Sequence, residues 1–205
     1  MPDLDRCTQA ATEAGAVNVV TAVDGTLTGY NTDGEGFVRS LAEEGGPPIP
    51  GCRAVVLGAG GAARAVASSL IERGAAKVQI LNRTVARAEA AASALPGSVA
   101  AGSLDPEGFV KAASGAQLVI NCAAGPAAER IAALDPRVLA DGACWVDINY
   151  WMANPPLRAE CAAAGVRFHD GIGMLAHQGA LAFELFTGHP VTGQEIRQTL
   201  EDSRS

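Results

Sequence analysis

A glycine-rich turn between an apolar run and a helix constrains the fold of this chain more than any other feature. Residues 54–57 are entirely apolar, and the sequence GAGGAA follows at 58–63. It fits G-x-G-x-x-A, in which the first glycine permits a tight turn, the second lets a ligand approach the backbone, and the small third residue lets helix and strand pack closely. The N-terminus of the following helix offers unpaired N–H groups to phosphates. The pattern predicts a dinucleotide-binding turn, with the backbone contacts supplied by Gly58, Ala59, Gly60, Gly61 and Ala62.

Short apolar runs and helical segments alternate after this turn. Such alternation indicates βαβ units and a parallel sheet. We therefore predict an α/β fold, a Rossmann-type doubly wound parallel sheet. The predicted strands are 54–57, 78–81, 99–101, 118–121, 145–148 and 166–169, and the predicted helices are 61–73, 84–95, 106–113, 156–164, 175–187 and 195–202.

The N-terminal part has a different pattern. Residues 17–22 and 26–30 flank an Asp-Gly pair, which is a β-hairpin signal. Asn31-Thr32-Asp33 then supplies capping residues for a helix at 34–43. Because two strands alone are only marginally stable, we expect this hairpin to need a larger sheet than the preceding residues can build. A proline-rich linker at 43–51 separates it from the predicted sheet, which gives three parts: 1–44, 45–172 and 173–205.

The end of the second predicted strand indicates which dinucleotide the chain prefers. An NAD site places an acidic residue there for the ribose hydroxyls. This chain instead has Asn82, Arg83 and Thr84, with Arg87 one helical turn further. A guanidinium can form paired hydrogen bonds with a 2′-phosphate, which a carboxylate would repel. Thr84 can both cap the helix and donate to the phosphate. These residues favour NADP over NAD as the cofactor, with a solvated arginine beside a capping threonine as the alternative.

Composition excludes several other classes of protein. The chain has 205 residues, a formal net charge of −7 and 4% aromatic residues, which argues against nucleic acid as a partner. Its apolar runs are too short to span a membrane, and its first ten residues do not resemble a secretory signal. The five cysteines and three histidines lack metal-ligand spacing, so we expect reduced thiols, no metal and a cytoplasmic protein.

Five motifs occur in the order found in shikimate dehydrogenases, and the resemblance extends from about residue 15 to residue 188. The motifs are GAVN at 15–18, GYNTDG at 29–34, GAGGAARA at 58–65, NRT at 82–84 and MLAHQGA at 174–180. The resemblance implies NADPH-dependent reduction of 3-dehydroshikimate to shikimate, in chorismate and aromatic amino-acid biosynthesis. It also implies that the hairpin and the C-terminal helices belong to a second, substrate-binding domain.

The same resemblance implies roles for individual residues. It makes Asn18, Asp33 and Gln178 substrate-binding residues, with Asp33 also assisting the reactive hydroxyl as a catalytic residue. Short Asn, Asp and Gln side chains supply the donors and acceptors that a polyhydroxylated ring requires. The resemblance also implies that Tyr150 lies near the substrate and that Gly171 and Met174 lie near the nicotinamide. We interpret His177 and Cys122 as structural.

The sequence departs from the family pattern in two places. The family has a Ser-x-Ser element that binds the substrate carboxylate and a lysine that acts in proton transfer, whereas the only lysines here are Lys77 and Lys111, outside that motif. We therefore expect the chain to bind cofactor well and to turn over shikimate poorly or not at all unless a missing segment is supplied. A mis-assigned start, a truncated gene or an expressed C-terminal portion would each explain the difference. The second departure lies at residues 147–157, where Met152 and Pro155 stand in place of the proline and threonine that the family often has.

Two alternatives to an active shikimate dehydrogenase remain open. The absent lysine favours a non-catalytic NADP-binding remnant or partner subunit. A quinate/shikimate dehydrogenase is the other, although quinate enzymes commonly prefer NAD and Arg83 counts against it. With most of the substrate domain missing, apolar surface on the hairpin and the C-terminal helices is expected to be exposed or used in self-association, for example in a homodimer.

Overall fold

The computed structural model describes residues 3–123, 125–151, 155 and 157–202. The N-terminal part forms a three-stranded sheet in the order β1-β3-β2 with two helices. Its elements are β1 (Arg6–Cys7), α1 (Gln9–Ala14), β2 (Val19–Val23), β3 (Thr26–Tyr30) and α2 (Asp33–Glu43).

The predicted hairpin is confirmed. Strands β2 and β3 pair in antiparallel register, with Val19 opposite Tyr30. Asp24 and Gly25 both have positive φ (49° and 77°), as a two-residue type I′ turn requires. The sequence pattern did not predict β1, which pairs in parallel with β3, or α1. A two-residue strand carries too little pattern to be detected.

A six-stranded parallel sheet forms the larger part of the molecule and confirms the Rossmann-type fold. Its strand order, β6-β5-β4-β7-β8-β9, places the first strand in the middle of the sheet. The strands are β4 (Arg53–Leu57), β5 (Lys77–Asn82), β6 (Ala100–Ser103), β7 (Leu118–Asn121), β8 (Cys144–Asp147) and β9 (Arg167–Asp170). The helices are α3 (Gly61–Glu72), α4 (Val85–Ser93), α5 (Pro106–Ala113), α6 (Ala128–Ala132), α7 (Arg158–Ala163), α8 (Ile172–Thr187) and α9 (Gly193–Asp202).

Helices cover both faces of this sheet, so its central strands read as continuous apolar runs. One face of β4 packs through Val56 against Val66 and Leu70 of α3. The other face packs through Val55 against Phe109 of α5 and its neighbours. Helix α6 and the 3-10 turns at Gly125–Ala127 and Pro136–Val138 were not predicted.

Close backbone contacts join the N-terminal part to the large sheet's helices. Helix α2 packs against α3 and α8. A Cβ on Gly34 would lie 2.6 Å from the Ala65 carbonyl oxygen of α3, and one on Gly36 would lie 2.7 Å from the Gln178 backbone nitrogen of α8. Only glycine permits these approaches, which bring the N-terminus of α2 beside the middle of α8.

The threonines predicted to cap α2 and α4 lie at the N-caps of these helices, but neither threonine side chain makes a capping bond. Thr32 occupies the N-cap position of α2 without a side-chain capping bond, and instead the Asp33 N–H donates to Asn31 Oδ1 over 3.0 Å. Thr84 is likewise the N-cap residue of α4 without a side-chain capping bond. Its carbonyl oxygen accepts from Asn82 Nδ2 over 3.0 Å. Among the residues that the structure describes, no helix is both long and apolar enough to cross a membrane.

Candidate active site at the carboxyl edge of the sheet

A cavity of about 370 Å³ lies where the large sheet meets α2 and α8. It opens beside β4 and β7, the point at which the strand order reverses and where open α/β sheets bind ligands. Its lining residues are Asn18, Asp33, Ala62, Cys122, Ile148, Asn149, Tyr150, Trp151, Gly171, Met174, Leu175 and Gln178.

The three polar residues predicted for substrate meet in this cavity. Asn18 Nδ2 donates to Asp33 Oδ1 and to Thr32 Oγ1, each over 3.0 Å. The Thr32 N–H donates to Asn18 Oδ1 over 3.1 Å, and its hydroxyl donates to the Gln178 carbonyl oxygen over 3.1 Å. Thr32 therefore links Asn18, which precedes β2, with the N-terminus of α2 and with α8, and this bonding fixes the mutual positions of Asn18, Asp33 and Gln178.

Asp33 is the carboxyl group that faces the cavity from α2. Burial raises the pKa of this carboxyl above its ordinary value of 3.8, while hydrogen bonds from Asn18 and Asn31 act in the opposite direction. A carboxyl whose pKa is raised is better suited to exchange protons near neutral pH than an exposed aspartate.

The predicted phosphate turn has the geometry that its glycines imply. Gly58 has φ 112°, and a Cβ there would lie 3.1 Å from the carbonyl carbon of Cys122. The hydrogen-bond ladder of α3 begins at Arg64, whose backbone N–H donates to the Gly60 carbonyl oxygen over 3.0 Å. The N–H groups of the first turn of α3 thus precede its hydrogen-bond ladder, as an anion site requires. Of the five predicted backbone contacts, Ala62 also reaches the cavity wall.

The residues predicted to select NADP lie at the end of β5, next to β4, outside the cavity lining. Arg83 and Arg87 are exposed, and so is Thr84, whereas Asn82 is half-buried. The two exposed guanidinium groups therefore lie at the end of the strand next to β4, from which the glycine turn leads.

Tyr150, Gly171 and Met174, predicted near the reacting groups, all line the cavity. A Cβ on Gly171 would lie 2.7 Å from the Ile148 Cα, so glycine is required where α8 begins. Tyr150 packs edge-to-face against Trp151, with ring centroids 5.2 Å apart. Met152, part of the loop that departs from the family pattern, lies outside the described residues.

Sequence reasoning missed five lining residues: Cys122, Ile148, Asn149, Trp151 and Leu175. Cys122, which we interpreted as structural, lies in the cavity wall. Its position directly after a predicted strand was the available signal, since ligands bind at the carboxyl ends of parallel strands. His177 lies outside the lining, and its Nε2 is 2.9 Å from Glu43 Oε2.

Fold and cavity together define a Rossmann-class α/β protein with a cavity at the switch point of its sheet. Residues 40–140 match the family described as shikimate/quinate 5-dehydrogenase, and residues 171–201 match the shikimate 5′-dehydrogenase C-terminal domain. The NADP(+) shikimate dehydrogenase of Geobacter sulfurreducens is 41% identical over 194 residues, which cover 92% of this chain and 68% of that protein. The chain belongs to the shikimate dehydrogenase family.

Solved structures agree with this assignment. The shikimate 5-dehydrogenase of Thermus thermophilus in complex with NADP(H) and shikimate is 36% identical, with a TM-score of 0.79 over 96% of this chain and 72% of that one. The ligand-free 5-ketofructose reductase of a Gluconobacter strain is 32% identical, with a TM-score of 0.76 over 98% of this chain and 73% of that one. The second similarity shows that relatives of this fold differ in their named substrates.

Proposed function

We propose that this chain is an NADP(H)-dependent oxidoreductase that interconverts shikimate and 3-dehydroshikimate. The observation that carries the proposal is the hydrogen-bonded pair of Asn18 and Asp33, which faces the same cavity as Gly171 and Met174. This arrangement sets a proton-exchanging group and hydroxyl-binding groups opposite the wall assigned to the nicotinamide. The names and ligands of the relatives support the same reaction.

The cofactor is NADP in this proposal. Gly58 and the first turn of α3 would hold its pyrophosphate, and Arg83 with Arg87 would bind its 2′-phosphate. When bound, the nicotinamide supplies or accepts the hydride. Family membership and the named cofactor of the Geobacter relative support this choice over NAD.

The chain's own residues divide the remaining work. Asp33 exchanges the proton of the reacting hydroxyl, and its raised pKa suits that role. Asn18 holds the Asp33 carboxyl in place through Nδ2, while its own oxygen is held by the Thr32 N–H. Gln178 is held to α2 by the bond from the Thr32 hydroxyl, which positions it to contact a further hydroxyl of the ring.

We expect slow turnover. Within the described residues that line the cavity there is no lysine, since Lys77 begins β5 and Lys111 lies in α5. Proton transfer therefore depends on Asp33, and general acid–base assistance contributes typically about 10²–10⁴-fold. The alternative, an NADP-binding protein without catalysis, differs from this proposal only in turnover.

A substrate and cofactor panel tests the proposal. Purified chain is assayed with shikimate, quinate or the reduced partner of 5-ketofructose, each with NADP⁺ or NAD⁺, and cofactor binding is measured by calorimetry. We expect NADP⁺ binding and measurable oxidation of shikimate. Binding without turnover of any substrate would favour the non-catalytic alternative, and faster turnover of quinate would favour the quinate enzyme. Failure to bind either dinucleotide would contradict the proposal.

A further inference from the structure

Asp147 is a buried carboxylate at the end of β8, with 1% of its surface exposed. All of its hydrogen-bond partners in the described structure are N–H donors. Asn121 Nδ2 donates to Oδ2 over 2.9 Å, and Asn149 donates to Oδ1 through Nδ2 over 2.7 Å and through its backbone over 3.0 Å. A set composed only of donors fits the ionised carboxylate, which is acceptor-only.

The charge of Asp147 is not neutralised by a cation. In the part of the chain that the structure describes, the ion pairs of Lys, Arg and His involve neither Asp147 nor Asp33. A buried charge without a partner is costly, so its retention at the edge of a ligand cavity calls for a reason.

The field of Asp147 reaches the cavity wall. Its partner Asn149 and the neighbouring Cys122 both line the cavity. Burial raises the pKa of the Cys122 thiol well above its ordinary value, and the Asp147 and Asp33 carboxylates raise that pKa further. Cys122 therefore experiences negative potential from both carboxylates, Asp147 in the sheet and Asp33 on α2.

We propose that Asp147, together with Asp33, gives this cavity wall a negative potential. The cavity would then bind the cationic, oxidised nicotinamide more tightly than the neutral, reduced form. The inference rests on the proposed function, since it concerns the same cofactor. Its consequence follows from linkage: a site that binds the oxidised form more tightly favours hydride donation to the ketone on the protein. Asp147 thereby biases the direction of the reaction without touching the substrate.

The test compares the dissociation constants of NADP⁺ and NADPH, measured by calorimetry for wild type and Asp147→Asn. We expect the substitution to weaken NADP⁺ binding roughly tenfold relative to NADPH, the size expected of one unit charge in a protein wall. A general loss of structure would weaken both forms alike, so the ratio separates charge from packing. Asp24→Asn is the matched control, because it removes the same charge at an exposed turn residue with φ 49°, a conformation that asparagine tolerates.

A second variant keeps the inference testable if Asp147→Asn does not fold. Asp33 lies outside the hydrogen-bonded cluster of Asn121, Asp147 and Asn149. Asp33→Asn should shift the ratio of NADP⁺ to NADPH affinity in the same direction by a smaller factor, because the raised pKa of Asp33 reduces the average charge of this carboxyl. An unchanged ratio in the folded variants would overturn the inference while leaving the proposed function in place. Absence of binding by wild type to both cofactor forms would overturn the proposed function, and this inference with it.

Discussion

The two sheets of this molecule bury their apolar surface in different ways. In the six-stranded sheet, helices cover both faces, and the strands β4, β7 and β8 are almost wholly buried. In the three-stranded sheet, β2 and β3 leave Val20, Val23 and Leu27 exposed. Phe183 and Phe186 on α8 are exposed as well. The small sheet packs against α1 and α8, and α1 and α2 pack in turn against α3.

This difference corresponds to a division of labour in the proposed function. The large sheet supplies the cofactor turn and the cavity wall at Cys122 and Asn149. The small sheet and α2 supply Asn18 and Asp33, which depend on the contact between α2 and α8 for their positions. Substitutions in the two regions should therefore change different properties.

The largest expected effect is on turnover. Asp33→Asn removes the proposed proton carrier and should lower kcat by about 10²–10⁴-fold, with NADPH affinity little changed. Steady-state kinetics and calorimetry measure the two quantities. Glu35→Gln, on the same helix but in surface ion pairs with Arg39 and Arg73, is the control and should retain activity. Equal losses in both variants would contradict the role of Asp33.

The Asp33 carboxyl should make both the stability of the protein and its activity depend on pH. Because burial raises the pKa of Asp33, the folded state binds this proton more strongly than the unfolded state does. Its contribution to stability is therefore full below pH 3.8 and is lost as pH rises through the folded value. The acidic limb of kcat/KM for shikimate oxidation should lie above pH 3.8 and disappear in Asp33→Asn. An acidic limb that survives unchanged would assign it to another group.

The next effect is confined to the large sheet. Arg83→Ala should weaken NADP⁺ binding tenfold or more and leave NAD⁺ binding nearly unchanged, because a hydrogen bond to a charged group contributes roughly 1.5–3 kcal/mol. Calorimetric titrations with both dinucleotides measure the difference. Arg137→Ala, another exposed arginine, pairs with Asp135 away from the cavity and should have no effect. Parallel loss of NAD⁺ affinity in Arg83→Ala would indicate a structural role instead.

The third prediction concerns the packing of α2 against α8, where Gly36 approaches the backbone of Gln178. In Gly36→Ala the added Cβ would meet the backbone of Gln178, and overpacking of this kind costs about 1–3 kcal/mol. Urea denaturation should show that loss, and KM for shikimate should rise as Gln178 moves. Gly179→Ala is the control on α8, since its Cβ would lie 3.9 Å from Ile196 Cδ1 in ordinary contact. Similar losses in both variants would show that the approach of α2 to α8 is not special.

The same contrast explains what the sequence could predict. Strands buried on both faces read as apolar runs, so β4 and the glycine turn after it could be located to within a residue. The hairpin was found through Asp24 and Gly25, whose positive φ angles few residues adopt. Strand β1 and the exposed apolar residues of β2 gave no comparable signal, because a strand without a covered face has no strict alternation.

The cavity was predicted in part for a related reason. Motif resemblance located Asn18, Asp33 and Gln178, but the bond from Thr32 to Gln178 joins residues 146 positions apart. Sequence pattern carries no information on such a contact. Asn149 and Trp151 belong to a loop whose sequence departs from the family, so only the fold could reveal that they face the cavity.

The smallest effect tests the contrast between the sheets with one substitution made twice. Val56→Thr places a hydroxyl at a position with 0% exposure in β4, and an unpaired buried hydroxyl costs about 1–3 kcal/mol. Val23→Thr makes the same change at the end of β2, where 64% of the residue is exposed, and should alter the free energy of unfolding by less than about 0.5 kcal/mol. Urea denaturation of both variants measures the difference. A loss at Val23 as large as that at Val56 would mean that another surface covers β2 in solution, and sedimentation would then show self-association that Val23→Thr weakens.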